Sequence, residues 1–109
     1  MADVLKILGQ LAPSAMALED LYECTSDEGC TVSTIFVCNR SSSTSKFRIS
    51  IANGGAVDAV KQYLYYDVEL PANDTFASTV GISLTKTDII RVYSESGNLS
   101  FSAFGMEID

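Results

Sequence analysis

Short runs rich in Val, Ile, Thr, Tyr and Phe recur along the chain, and each is closed by a cluster of Gly, Asn, Asp or Ser. That punctuation demands an all-β fold, because β-branched and aromatic side chains suit a pleated surface while the interrupting residues supply turns. Within the runs mainly apolar positions recur at every second residue: Phe47, Ile49 and Ile51 alternate with Arg48 and Ser50, and Phe76, Ser78, Val80 and Ile82 with Ala77, Thr79 and Gly81. A period of two gives a strand one buried and one wet face. The runs at 18–24, 30–39, 47–51, 63–70, 76–82, 89–94 and 99–108 lead to one expectation. The chain is a single antiparallel β-sandwich of about 7–8 strands, jelly-roll or immunoglobulin-like, spanning 1–109 with residues 1–17 as an N-terminal arm.

Local signals add detail. Residues 25–29 end in Gly29 and 95–98 contain Gly97, so both read as hairpin loops, joining 18–24 to 30–39 and 89–94 to 99–108. In 63–70 the alternation puts Leu64, Tyr66, Val68 and Leu70 on one face and Tyr63, Tyr65, Asp67 and Glu69 on the other. The apolar spacing of 3–11 suits a turn or two of helix, as does 55–61. Gly105, inside the last run, marks a bulge or a close backbone approach. Two runs are apolar on both faces: Ile35 and Val37 oppose Val32, Phe36 and Cys38, while Ile89 and Tyr93 oppose Ile90 and Val92. Either these are central strands capped by loops or their second faces make subunit contacts.

The residue inventory narrows the function. Histidine is absent, which removes the usual general base and the commonest metal ligand, and the serines lie in loops and outward positions without a base. No enzyme activity and no cofactor is expected. The carboxylates at Glu19-Asp20, Asp27-Glu28 and Asp67 with Glu69 lack the regular ligand alternation of a calcium loop, so no metal is assigned. Gly54-Gly55 lacks the remaining residues of a phosphate-binding loop. With 14 acidic against 7 basic residues the net charge is -7, which argues against nucleic acid and against an anionic membrane surface. No run approaches the roughly 18 apolar residues of a membrane span, and no export signal is evident. Charged residues make up only 19% of the chain against 47% apolar, so part of the apolar surface is expected to be covered by neighbours.

The three cysteines carry further information. Cys24 and Cys30 flank the first loop and, in a suitable register, face one another within disulfide reach; the alternative is three reduced thiols. Cys38 lies on the same strand face as Cys30 by simple alternation, but eight extended residues separate them by about 26 Å. It is therefore a small buried hydrophobe or an intermolecular partner.

Several stretches carry a resemblance. Residues 8–14 (LGQLAPS), Leu21-Tyr22, Val37-Cys38-Asn39-Arg40, 62–67 (QYLYYD), 71–75 (PANDT), Ile90-Arg91-Val92-Tyr93 and 99–105 (LSFSAFG) resemble a family of small β-sandwich virion proteins of tailed bacteriophages. The resemblance covers nearly the whole chain and rests on strand and turn motifs. It implies a decoration, cement or neck/collar subunit that binds other virion proteins, the major capsid protein or neck and tail proteins, and self-associates, with a trimer as first expectation. Such a protein assembles in the host cytoplasm and leaves with the particle on lysis. The alternatives are a tail or fibre attachment module, or a carbohydrate-binding sandwich in which Tyr63, Tyr65 and Tyr66 stack on a sugar. Cys24 and Cys30 depart from the pattern, which implies a particle-stabilising crosslink, within or between subunits, closed only after release.

Overall fold

The computed structural model describes residues 3–108. Its strands are β1 (Val4–Leu11), β2 (Leu18–Glu23), β3 (Cys30–Asn39), β4 (Ser45–Ala52), β5 (Tyr63–Leu70), β6 (Thr75–Ser78), β7 (Ile82–Leu84), β8 (Ile89–Ser94) and β9 (Leu99–Glu107). They form two antiparallel sheets. The front sheet runs β1-β9-β3-β6, with β7 continuing the β6 edge along β3, and the back sheet runs β2-β8-β4-β5.

The pairs nest: β1 lies on β9, β2 on β8, β3 on β6 and β7, and β4 on β5. The chain is one long antiparallel hairpin, turned near residues 53–62, whose successive segments alternate between the sheets. This strand order is that of a jelly roll, which decides between the two sandwich topologies the sequence allows. It also corrects both expected hairpins. β2 and β8 lie in the back sheet while β3 and β9 lie in the front, so residues 25–29 and 95–98 cross between layers instead of closing a ladder. Short Gly-containing loops look alike in both roles.

Other expectations change for identifiable reasons. Residues 3–11 carry no helix: 4–11 form β1, the front-sheet edge, rather than an arm, and 12–17 link it to β2 with a bridge from Ala15 to Ser94. A bulge at Leu8 breaks the period of two and imitates helical spacing, putting Leu8 and Leu11 against the core. Residues 55–61 form no α-helix either; short 3₁₀ turns cover Asn53–Gly55 and Val60–Gln62. The strand expected at 76–82 is broken into β6 and β7 around Gly81, whose φ is 71°, and Val80 faces outward.

Bulges decide which side chains enter the core. On β3, Val32 pairs with Gly105 and Thr34 with Phe104, so Ser33 is the extra residue. The pleat changes phase there, and Cys30, Val32, Ile35 and Val37 are all buried while Phe36 and Cys38 face out. On β5 two residues, Tyr66 and Asp67, oppose the single Arg48 of β4. Tyr65 therefore joins Val68 and Leu70 inside, against simple alternation, whereas Leu64 and Tyr66 are exposed. Between the sheets Phe47 meets Phe76 at 5.2 Å, Phe101 at 6.3 Å and Tyr65 at 6.4 Å, with Ile35, Ile49, Ile90, Val92 and Leu99 packed around them. Each fully buried side chain of this size contributes about 1.5–3 kcal/mol of transfer free energy, so this seam is the main stabilising element.

Candidate interaction surfaces

The cysteine pair sits at a corner of the sandwich. Cys24 and Cys30 form a disulfide with Cα atoms 6.2 Å apart, and both are buried. Because β2 and β3 belong to different sheets, the bond clips the back sheet to the front sheet. Beside it, the Tyr22 hydroxyl lies 3.0 Å from Cys30 Sγ and donates to Glu107 at 2.7 Å, and Lys6 Nζ donates to the same carboxylate at 3.2 Å. The Tyr22 hydroxyl and then Lys6 hold Glu107 below the usual carboxylate range, while burial and the Glu107 charge push the Tyr22 phenol upward. An adjoining open cleft of about 420 Å³ is lined by Val4, residues 25–28, Glu107 and Ile108.

Reduction of this bond has a calculable effect. It closes a loop with a sequence separation of 6, for which the chain-entropy relation gives about 2 kcal/mol. A Cys24→Ser/Cys30→Ser variant should lose that amount in urea unfolding and should no longer respond to dithiothreitol. Non-reducing gels of the wild type should show a single-chain species, since the bond lies within one molecule. An unfolding midpoint unmoved by both reductant and substitution would mean that the thiols are not joined.

The outer face of the back sheet is polar and laced with ion pairs. The β5 bulge places Asp67, at φ 51°, and Tyr66 together opposite Arg48, and Arg48 engages both. Its Nε donates to Asp67 Oδ1 at 2.6 Å, and its guanidinium carbon lies 4.2 Å from the Tyr66 ring centre and 4.3 Å from that of Tyr93. This pairing lowers the Asp67 carboxyl and raises the Arg48 guanidinium. Arg91 pairs with Asp20 at 3.2 Å and donates to the carbonyls of Gly55 and Ala56. Of the three tyrosines considered for sugar stacking, Tyr65 is turned inward and bonds Ser78 at 2.8 Å. Tyr63 and Tyr66 remain outside, edge to face at 5.1 Å.

The outer face of the front sheet has a different character. Phe104 and Met106 alternate with the buried Ala103 and Gly105, and their cross-strand partners on β1 are Ile7 and Leu5. Directly paired residues share a face, so these four stand together. Phe36 joins them, meeting Phe104 edge to face at 5.8 Å. Leu5 is 81% exposed, Ile7 52% and Phe36 39%. Cys38 is exposed on this same face. Its expected placement on the same strand face as Cys30, and the buried-hydrophobe alternative, are thereby corrected: the Ser33 bulge shifts the pleat between the two cysteines.

The remaining candidate groups do not converge. Asp27 pairs with Lys86 at 2.7 Å, Glu19 accepts from the Ser14 backbone N–H, and Asp67 and Asp20 are committed to arginines. Among the described residues no three His, Cys, Asp or Glu side chains come together as a metal site. The apolar front face was half legible in the sequence, as a run apolar on both sides. The Arg48 stack was not, because it depends on a bulge that no residue type announces. No protein-family model, curated protein or solved structure matches the chain.

Proposed function

We propose that the protein is a non-enzymatic structural subunit of a tailed-phage particle, a decoration, cement or neck/collar component that works by binding other virion proteins and further copies of itself. The apolar outer face of the front sheet carries this reading. Five large apolar side chains stand together there, Leu5, Ile7, Phe36, Phe104 and Met106, on a chain whose opposite face carries the Arg48–Asp67 and Arg91–Asp20 ion pairs. An exposed apolar cluster of this kind marks a contact surface. The jelly-roll frame clipped by Cys24–Cys30 gives that surface a rigid backing, and the resemblance of the strand and turn motifs supplies the virion context.

A tail or fibre module that touches host sugars is the second reading, favoured by the outward pair Tyr63 and Tyr66. Arg48 already covers one face of Tyr66, which leaves less ring area for a sugar. Mass spectrometry of purified particles with copy-number determination separates the readings. Copies in the hundreds mean the capsid shell, a ring-sized number means neck or tail, and absence from particles overturns the virion assignment. Specific retention on a glycan array, abolished by Tyr66→Ala, would favour the sugar-binding alternative.

A further inference from the structure

We infer that the outer face of the front sheet is the docking surface for a second copy of this chain, giving a two-fold dimer with the two front sheets stacked face to face. The inference rests on the structural-subunit reading and deepens it by naming the surface and its occupant.

Charge permits a second copy as the occupant. The chain carries a net charge of -7, so most ways of bringing two copies together place like charges opposite each other. The strand positions facing outward on the front sheet hold none of the charged residues. Leu5, Ile7, Phe36, Phe104 and Met106 are surrounded by Ser and Thr side chains and by Cys38. The back sheet presents Arg48 with Asp67 and Arg91 with Asp20, which water and their own ion pairs already satisfy. A copy of the same acidic protein can therefore approach the front sheet without charge repulsion at the contact. A basic partner would gain nothing there from its charge.

Area and shape agree. The β1-β9-β3-β6 face, with strands about 4.8 Å apart and about 27 Å long, presents roughly 500 Å², so two such faces bury about 1,000 Å² in total. That meets the lower bound for a specific interface, and it excludes contact through only a corner of the face. A surface that meets its own copy across a two-fold axis must be self-complementary, and an uncharged, mildly pleated sheet face satisfies that condition. The symmetry is two-fold, in place of the three-fold arrangement that the family resemblance implies.

The test is sedimentation of the purified full-length chain across micromolar concentrations. Wild type should be a dimer. Phe36→Glu and Ile7→Glu each put a carboxylate on the face and should weaken association more than about tenfold. Ile7 lies on the edge strand, so at least this variant should keep the wild-type far-UV circular dichroism, which shows that the fold is intact while association is lost. Tyr66→Glu, on the back sheet, should remain dimeric. Maleimide labelling of Cys38 should slow as wild-type concentration rises, and should be independent of concentration in Ile7→Glu. A monomeric wild type, a trimer, or a dimer broken by Tyr66→Glu but not by the front-sheet variants would overturn the inference. The two readings fail separately. Presence in particles with a monomeric pure chain sinks only the dimer, and a front-sheet dimer absent from particles sinks only the virion assignment.

Discussion

Replacing Gly105 by alanine is expected to destabilise the domain by about 3 kcal/mol or more. A Cβ at this position would overlap the Thr31 carbonyl oxygen and lie 2.9 Å from Val32 Cα and 3.0 Å from Leu8 Cδ1. The first two are backbone atoms of β3, the strand in the middle of the front sheet, and cannot swing aside. Bulges at Leu8 on one neighbouring strand and Ser33 on the other bring both strands close to Gly105. Relief would mean moving the β3 backbone, and with it Val32 and Ile35 in the core. Gly81→Ala is the control. Gly81 has a φ of 71° but nothing within 4 Å of an added Cβ, so only backbone strain of about 1 kcal/mol applies. Urea unfolding of both variants measures the difference, and equal losses would show that crowding at Gly105 is relieved at no cost.

Truncating Asp88 to alanine should cost about 3 kcal/mol, because one buried carboxylate satisfies three donors. Asp88 is 8% exposed and accepts from Gly54 N–H at 2.8 Å, Thr85 N–H at 2.9 Å and Thr85 Oγ1 at 3.0 Å. Its own backbone oxygen accepts from Cys24 N–H at 2.9 Å, so it joins the 85–88 turn, the 53–55 turn and the disulfide corner. Burial opposes ionisation here, but these donors outweigh it and the carboxyl is held below its ordinary value of 3.8. A carboxyl with a lowered folded-state pKa stabilises the fold fully above its unfolded pKa and loses that contribution as pH falls through the folded one. Asp67 and Glu107 act in the same direction. Wild-type stability should therefore fall on acidification below about pH 4, and the gap to Asp88→Asn should narrow there. The wild type then loses what the variant never had. A gap constant from neutral to strongly acid pH would show that folding leaves the Asp88 pKa unchanged, against the lowering that its three donors imply.

The candidate surface was only partly readable in advance. Phe36 and Cys38 were visible as apolar residues on the second side of an apolar run, which correctly raised the question of what covers them. Leu5 and Ile7 were hidden in a stretch whose spacing suited a helix, and nothing local reveals that β1 pairs with β9 from the other end of the chain. Cys24 and Cys30 were paired correctly on the wrong argument. A short loop keeps them close whether it closes a hairpin or crosses between sheets.

Alternation, β-branching and turn residues act over a few neighbours, and they suffice to specify the all-β class, the sandwich and most strand positions. β3 at Cys30–Asn39 and β5 at Tyr63–Leu70 have the bounds that their alternation and turn residues predict. Tertiary structure alone decided the nested jelly-roll order, since strand partners lie far apart in the chain and a turn does not encode which sheet the next strand joins. It also decided the faces. One extra residue at Leu8, at Ser33 or in the Tyr66-Asp67 pair inverts every side chain beyond it, and such a bulge is chosen by the fit of whole strands across the ladder. For that reason Cys38 faces outward while Cys30 is buried, and Tyr65 lies in the core while Tyr66 stands over Arg48.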